Sequence, residues 1–356
     1  MMSEELREIQ QKSGAILTDS GSLIESFGND NQGFQAAYNG AVICDRSHWG
    51  LLQITGEDRL RFLHNQTTNN INSLKPGQGC DSVFVNSTGR TLDLVTAYVT
   101  EEAILILTSP NRRKFLSDWM DRYIFPMDKV EISDISQENA IFTLIGSEAT
   151  TILEQWGINI NNLAKLSLEN HELIDVNNKQ IRITIGSGLG ITGYNLIVPI
   201  NQGKNVWEEL VELGIIPIGD RVWEQLRIKQ GRPVPDKELT EDYNPLEAGL
   251  WHAISFDKGC YIGQETIARL NTYKGVKQRL WGIKLNKIVE PGIPVTLDGN
   301  KVGIVTSSTI IGQEFWGLIY VKTKAGGAGL TVKIGEAEAE LIKLPFFSHE
   351  YYKSTT

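Results

Sequence analysis

Cysteine is scarce in this sequence of 356 residues, and the three that occur, Cys44, Cys80 and Cys260, are far apart and form no CxxC pair. This scarcity argues against a disulfide framework or a zinc ribbon and is typical of a protein from a reducing compartment. Walker A sequences, HExxH, zinc-ligand spacings and GxSxG elbows are also missing. The sequence therefore predicts none of the common nucleotide, metal or hydrolase sites that these motifs mark.

Long apolar runs and an excess of positive charge are lacking as well. No segment approaches the roughly 18 apolar residues of a membrane span, so no membrane is expected as a partner. Lys and Arg number 34 against 43 Asp and Glu, a net charge of -9, which argues against direct nucleic-acid binding. The opening residues MMSEELREIQQKSG are polar and predict neither a signal peptide nor a transit peptide. The expected location is the cytoplasm, or the plastid stroma for a mature eukaryotic homologue.

The length favours two or three domains, and a composition of 41% hydrophobic residues predicts a substantial core. Residues 3–13 predict a polar helix, followed by a link rich in Gly, Ser and Asn to about residue 40. From residue 41 onward strands and helices do not alternate regularly, which predicts an α+β fold with antiparallel sheets. From about residue 276 short strands are split by Gly, Pro and Asn turns, which indicates a small β-barrel or sandwich.

A GxGxxG match at residues 188–193 raises the question of nucleotide binding. The apolar run QIRITI precedes it, as a dinucleotide site requires. Such a site also needs a helix to begin at the glycines, so that the helix N-terminus meets the pyrophosphate. The residues that follow, YNLIVP, form a β-run that ends in Pro. The glycines are therefore predicted to be turn residues.

The octet KGCYIGQE, from Lys258 to Glu265, contains the most informative cysteine. A reactive thiol needs nearby cations or a helix N-terminus to lower its pKa. From residue 257 to residue 279 there are five basic residues and two acids, and GQETIARL can begin a helix. Gly259 and Gly263 would permit a sharp turn or a close backbone approach. These features leave two interpretations of Cys260 open, a working thiol or a buried and inert residue.

Asp93 is an acidic residue inside an otherwise apolar strand, TLDLVTAYV. Because side chains alternate along a strand, Thr91, Asp93, Val95 and Ala97 share one face. A carboxylate beside such neighbours lies either at a solvated edge or in the lining of a polar pocket. The sequence does not choose between these two interpretations.

The octet resembles the K-G-C-[FY]-x-G-Q-E signature of YgfZ-type proteins, which are relatives of the glycine-cleavage T-protein, an aminomethyltransferase. The stretch CDRSHWGLLQITGEDRLRFLHNQTTNNINSLKPGQG is similar to the opening block of that family. LEAGL precedes the octet, and KVGIVTSS resembles the C-terminal barrel of T-proteins. The resemblance covers roughly residues 38–345 and is closer to the YgfZ branch, particularly its cyanobacterial and plastid-type members, than to true T-proteins.

The resemblance implies a T-protein-like arrangement of three domains around a central folate cavity, with a C-terminal β-barrel. The implied boundaries are an N-terminal helix and linker at 1–37, an aminomethyltransferase-like folate-binding region at 38–275 with two α+β subdomains divided near 125–145, a β-barrel at 276–345 and a tail at 346–356. The implied ligand is tetrahydrofolate, with or without a polyglutamate tail.

The resemblance also implies roles for individual residues. Asp93, which follows Gly89, is similar in position to a carboxylate near the reactive folate nitrogens, and Arg227 in QLRIKQG matches an arginine that helps to hold folate. Within the octet, Cys260 is the key residue of YgfZ-type proteins. Lys258, which could lower the pKa of Cys260 or meet the glutamate tail of folate, Tyr261 and Gln264 are further expected folate contacts. No metal-ligand set is implied.

Two departures from the T-protein pattern weaken the case for glycine-cleavage chemistry. Ile191 or a near neighbour stands where the family has a glutamate that grips the pterin. Lys229 stands where the family has the acid of L-R-L-E-A-G.

YgfZ-type proteins are implicated in folate-dependent assembly or repair of iron–sulfur clusters. The resemblance therefore implies a tetrahydrofolate-binding accessory protein that uses Cys260, with iron–sulfur client enzymes or assembly proteins as partners besides folate. Two alternatives are a folate-dependent aminomethyl or one-carbon transferase and a non-catalytic folate-binding scaffold. Whether the protein is an enzyme stays open.

Overall fold

The computed structural model describes residues 4–159 and 167–353. The chain divides into two compact units, each built from separate stretches of sequence. The first unit comprises Met1–Phe62, Asn72–Cys80 and Val95–Trp223, and the second comprises Leu63–Ile71, Asp81–Leu94 and Glu224–Thr356. Across the described ranges no helix is both long enough and apolar enough to span a membrane.

The described residues form eight α-helices and four short 3-10 helices. The α-helices are α1 (Glu4–Lys12), α2 (Asp30–Asn39), α3 (Arg59–Gln66), α4 (Arg113–Asp121), α5 (Ala149–Gln155), α6 (Gly203–Glu212), α7 (Asp220–Gln230) and α8 (Gln264–Thr272). The 3-10 helices are Ile71–Ser73, Ile200–Gln202, Trp251–Ala253 and Thr323–Ala325.

The strands of the first half are β1 (Ile16–Leu17), β2 (Ile24–Ser26), β3 (Val42–Asp45), β4 (Gly50–Thr55), β5 (Gly79–Val85), β6 (Thr91–Val99), β7 (Ala103–Thr108), β8 (Glu131–Asp134) and β9 (Asn139–Ile145). Those of the second half are β10 (His171–Val176), β11 (Lys179–Ile185), β12 (Gly193–Pro199), β13 (Ile216–Ile218), β14 (Gln278–Leu285), β15 (Pro294–Leu297), β16 (Asn300–Ile311), β17 (Glu314–Lys322), β18 (Thr331–Ile334) and β19 (Ala337–Ile342).

A six-stranded sheet of order β10-β11-β12-β9-β3-β13 forms the centre of the first unit. All its pairings are antiparallel except that of β3 with β13. Phe142 and Leu196 on the sheet pack with Leu6 of α1, Leu153 of α5 and Trp207 of α6 in one buried cluster. The sheet thus buries one face beneath helices, as an amphipathic sheet must.

A second sheet has the order β5-β6-β7-β4-β8. Strands β4, β7 and β8 lie wholly in the first unit, whereas the division between the units passes through β5 and β6. Every residue of β7 is buried, which explains its uninterrupted apolar sequence AILILT.

The second unit contains a closed six-stranded barrel of order β14-β17-β16-β15-β18-β19. Inward-facing residues such as Ile283, Val305, Ile319, Val332 and Leu341 fill its interior. Closure removes the free sheet edges that an open sandwich would leave. The predicted C-terminal β-domain is therefore a barrel rather than a sandwich.

The predicted link before residue 40 is wrong, because this stretch contains the β1–β2 pair and helix α2. Phe34 and Ala37, three residues apart, are buried on one face of α2. Gly33 lets that face lie close to β13, since an added Cβ would come within 2.6 Å of the Ile218 side chain. The polar and glycine-rich composition concealed a helix that is held by close tertiary packing.

The glycines of the GxGxxG match lie in a turn, as predicted. Gly188 and Gly190 have φ values of 72° and 71°, in the left-handed region that glycine tolerates. Strand β12 begins at Gly193, so no helix N-terminus is available at this point.

Candidate functional site

All residues to which the sequence assigned a function lie in the second unit. The octet forms the end of an irregular segment and the first turn of α8, which begins at Gln264. The predicted helix after the cysteine is therefore confirmed.

The Lys258 side chain anchors the octet to the C-terminal end of α3. This side chain is buried, with 7% of its surface exposed. The ammonium group donates to the carbonyls of His64 at 2.5 Å, Thr67 at 2.6 Å and Asn69 at 2.8 Å. These carbonyls lie at and just beyond the C-terminal end of α3, where free carbonyls and the helix dipole favour a cation. Lys258 thus caps α3 and fixes the octet to it.

The charge of Lys258 also affects the pKa of the neighbouring His64. His64 is buried, and burial together with the Lys258 charge lowers the pKa of His64 from 6.5 to about 4. The imidazole is therefore neutral at pH 7. With three carbonyl acceptors in place, the Lys258 ammonium would contact a folate carboxylate only by exchanging one of them.

The two glycines of the octet have different roles. Gly263 has a φ of 80°, and an added Cβ would come within 2.6 Å of the Asn86 carbonyl and 2.9 Å of the Gly89 Cα. Gly259 has no such φ, and its nearest contact would be the His64 ring at 3.7 Å. Only Gly263 is therefore required for a close backbone approach. It seats the start of α8 on the turn that joins β5 and β6.

The other octet side chains complete this anchoring. The Tyr261 ring is half-buried, with its centroid 4.6 Å from the Lys258 ammonium, and burial raises the pKa of its hydroxyl. The Gln264 side-chain oxygen accepts from the Tyr261 backbone N–H at 3.3 Å. Glu265 is exposed in the first turn of α8, where the helix dipole favours a carboxylate.

Cys260 is exposed to solvent. The residues on either side of Cys260 in the chain are fixed in place, because Lys258 is buried and Gly263 packs closely against Asn86 and Gly89. The expectation that Cys260 is a buried residue is therefore wrong. The structure presents its thiol on an anchored segment, which suits a group that must meet a partner.

The C-terminal segment also holds the stretch before the octet, which the sequence did not reveal. The Tyr352 ring stacks on Phe256 with centroids 5.0 Å apart, and its hydroxyl donates to Asp257 at 2.5 Å. Asn271 of α8 accepts from the Tyr352 N–H and donates to its carbonyl. No local pattern could signal these contacts, since Tyr352 follows Asp257 by 95 residues.

Asp93 is fully buried near the start of β6. Thr91, on the same face by strand alternation, donates to the carbonyls of Thr240 at 2.9 Å and Tyr243 at 3.2 Å. The Tyr243 ring in turn stacks on Tyr320 of the barrel with centroids 3.6 Å apart. This face of β6 therefore lies against protein, which excludes the solvated-edge interpretation of Asp93. A carboxylate in such surroundings needs polar neighbours or a polar ligand.

Arg227 lies at the centre of a buried network, with none of its surface exposed. Its Nε and Nη2 donate to the two Glu224 oxygens at 2.5 Å. Nη1 donates to Glu238 at 3.1 Å and to the Arg232 carbonyl at 3.3 Å, and Nη2 also donates to Ser307 at 2.7 Å. All five N–H groups thus have protein acceptors. The guanidinium fastens α7 to the barrel and to the following loop.

The charge of this network is balanced by its carboxylates. Burial raises the pKa of Glu224, but the neighbouring Arg227 and Lys237 cations lower it more, so that it falls to about 2. Glu224 precedes Arg227 by three residues on a helix, a spacing that signals an ion pair in the sequence. Glu238 and Ser307 carry no such signal, because tertiary folding alone brings them to the arginine.

Lys229, the departure from the family acid, lies over the Trp316 ring with its ammonium 3.1 Å from the centroid. Glu314 accepts from the Trp316 indole N–H at 2.9 Å and lies 3.9 Å from Lys229. Lys229 therefore makes a cation–π contact that links α7 to the barrel.

Comparisons with known proteins extend these observations. The family model described as GCVT N-terminal domain matches residues 25–258. "Putative transferase At1g60990, chloroplastic" of Arabidopsis thaliana is 41% identical over 342 residues, which are 95% of this chain and 78% of that protein. An aminomethyltransferase of Picosynechococcus sp. is 28% identical over 324 residues, 88% of each chain.

Among solved structures, the glycine cleavage system aminomethyltransferase T of Bartonella henselae matches with a TM-score of 0.84. The match covers 98% of this chain and 99% of that one at 20% identity, a level at which the likeness shows the fold. The predicted α+β, T-protein-like fold with a C-terminal barrel is thereby confirmed. The YgfZ branch stays a prediction.

Proposed function

The chain belongs to the GCVT N-terminal domain family of aminomethyltransferase-like proteins, and on that basis we propose a YgfZ-type accessory role. In this role the protein binds tetrahydrofolate and acts in the assembly or repair of iron–sulfur clusters through Cys260. The observation that carries the proposal is the exposure of Cys260 on a segment anchored by Lys258 and Gly263. An anchored thiol loses little conformational freedom when it engages a partner.

One thiolate does not hold a cluster, because iron–sulfur clusters generally take four ligands. Cys260 therefore acts either as one ligand in a transient complex with a client protein, or as a thiolate in redox or transfer chemistry. Both roles need the exposed sulfur, and the first also needs a partner that supplies the other ligands. Iron–sulfur client enzymes or assembly proteins are the partners that fit this requirement.

The described residues fit a folate in part. Asp93 is a buried carboxylate that can accept a hydrogen bond from a ring N–H group. Arg227 and Lys258 have their donors engaged by protein, so we assign them the positioning of the surrounding segments rather than a direct ligand contact. Tyr261 and Gln264 stay proposed folate contacts, and a polyglutamate tail stays part of the proposal.

Calorimetric titration with tetrahydrofolate tests the ligand. Wild type should bind, and Asp93→Asn should bind at least about tenfold more weakly, because a charged hydrogen bond contributes about 1.5–3 kcal/mol. Asp298→Asn, a change at an exposed turn, is the matched control and should bind like wild type. The absence of binding by wild type would overturn the folate role altogether.

Complementation of a null strain tests the thiol. Cys260→Ala should fail to restore the activity of iron–sulfur enzymes, whereas Cys80→Ala, at a half-exposed cysteine of the first unit, should restore it. Both variants must accumulate to wild-type levels for the comparison to count. Full restoration by Cys260→Ala would remove the thiol from the proposal while leaving folate binding to the titration.

A folate-dependent one-carbon transferase is the second candidate, favoured by the burial of Asp93 and by the named activity of the Picosynechococcus relative. With an aminomethyl-lipoyl donor, the methylene carbon would pass to tetrahydrofolate while ammonia and the free lipoyl thiol are released. Incubation of the protein with both substrates should then yield methylene-tetrahydrofolate, and no product would count against this candidate. A non-catalytic scaffold is favoured if folate binding and cellular function both survive Cys260→Ala.

We propose a reducing compartment as the location, either the cytoplasm or a plastid stroma. The chloroplastic name of the Arabidopsis relative supports the second of these. Fractionation of the source cells with an antibody to the protein would decide between them.

A further inference from the structure

A cavity of about 450 Å³ opens in the first unit, and none of the residues discussed above as site candidates lines it. It lies where strands β10 and β11 meet the turn between β6 and β7 and the turn at residues 76–77. Its volume falls in the range of pockets that bind small molecules. Arg182 and His171 supply its most distinctive polar groups.

The Arg182 guanidinium is held in place by a neutral histidine. Nη1 donates to His171 Nδ1 at 2.8 Å, and His171 Nε2 donates to the Val99 carbonyl at 2.9 Å. Because arginine cannot accept, Nδ1 must be the acceptor, which fixes the tautomer of the ring. Burial and the Arg182 charge lower the pKa of His171 to about 4, so this arrangement is maintained at pH 7.

Arg182 has no carboxylate partner among the residues that the structure describes. Its remaining four N–H donors likewise have no acceptor in that part of the chain. Burial lowers the pKa of Arg182, and no neighbouring acid opposes that effect. Arginine nevertheless stays charged in proteins, so a partly buried guanidinium is left with its charge uncompensated. A carboxylate ligand would compensate it through two parallel hydrogen bonds.

The other residues that line the cavity indicate which groups a ligand would carry besides a carboxylate. Glu101, Glu102 and Glu172 are exposed and carry negative charge at the cavity. Pro76 and Leu173 provide an apolar surface, and the Leu173 side chain is 53% exposed. A simple anion would be attracted by one guanidinium but repelled by three carboxylates. A molecule with one negative and one positive group can place the first beside the guanidinium and the second beside the carboxylates.

We propose that this cavity binds a small zwitterion, an α-amino acid with an apolar side chain. Its carboxylate pairs with Arg182, its ammonium group faces the glutamates, and its side chain covers Leu173 and Pro76. This site is independent of the proposed folate role, because it uses none of the same residues.

Calorimetric titration with L-norleucine is the direct test. L-Norleucinamide lacks the carboxylate, while N-acetyl-L-norleucine and hexanoate lack the ammonium group. L-Norleucine should bind wild type, and each of the other three should bind at least about tenfold more weakly, since each loses a charged contact. Failure of wild type to bind L-norleucine at millimolar concentration would overturn the proposal, and so would equal binding of hexanoate or inorganic phosphate.

Two variants locate the site. Arg182→Gln should lose L-norleucine binding, whereas Arg122→Gln, at an exposed arginine of the same unit, should keep it. Leu173→Trp fills the cavity from an exposed position and leaves the Arg182–His171 contact intact, so it decides the matter if Arg182→Gln does not fold. Undiminished binding by folded Arg182→Gln or by Leu173→Trp would refute the assignment.

Discussion

Replacing Lys258 by Met removes the ammonium group beneath the octet and keeps a side chain of similar length. Three backbone carbonyls, those of His64, Thr67 and Asn69, then lose a charged donor in buried surroundings. A hydrogen bond to a charged group contributes about 1.5–3 kcal/mol. The expected loss in the free energy of unfolding is smaller than the sum of three such bonds. Burying the ammonium charge costs several kcal/mol of desolvation, and the methionine variant no longer has that cost. The net loss in the free energy of unfolding should be about 3 kcal/mol.

Urea unfolding followed by tryptophan fluorescence measures this loss. Hydrogen exchange locates it, since the amides of residues 63–69 should exchange faster once the end of α3 loses its cap. Lys333→Met, at an exposed position of β18, is the control and should change the unfolding free energy by less than about 0.5 kcal/mol. The reasoning fails if Lys258→Met matches that control in both stability and exchange, because the three contacts would then contribute nothing.

Three further changes test other parts of the second unit. Arg227→Met should cost about 3–5 kcal/mol in unfolding free energy by leaving the buried Glu238 carboxylate without its cationic partner, and adding Glu238→Gln should recover part of that loss. Gly263→Ala should lower stability by about 2–3 kcal/mol through positive φ and a close contact, whereas Gly259→Ala should stay near wild type in thermal unfolding. Because the pKa of Glu224 is depressed from 4.5 to about 2, its stabilisation is complete above pH 4.5 and is lost as the pH falls toward 2. When the free energy of unfolding is measured as a function of pH, Glu224→Gln should therefore lose less stability than wild type between pH 4.5 and 2. The same pH dependence in the variant and in wild type would contradict the ion pair.

Local patterns in the sequence were sufficient for most secondary structure. The apolar run TLDLVTAYV between two turns predicted β6, the residues GQETIARL predicted the start of α8, and the closely spaced turns after residue 276 predicted a β-domain. Each of these signals arises within a few residues, because strand propensity, helix periodicity and turn formation are short-range effects. The link predicted before residue 40 failed for the same reason. Helix α2 depends on packing against β13, which its own composition does not show.

The sequence by itself also determined which residues deserved scrutiny. The octet and Asp93 were identified from their residue types and positions, and Arg227 from the resemblance to the T-protein family. Only the tertiary structure decided what surrounds them. It exposed Cys260, buried Asp93, and turned the Lys258 ammonium toward carbonyls about 190 residues earlier in the chain. Burial and hydrogen-bond partners are properties of contacts between distant segments, and the residues beside each position in the chain do not encode them.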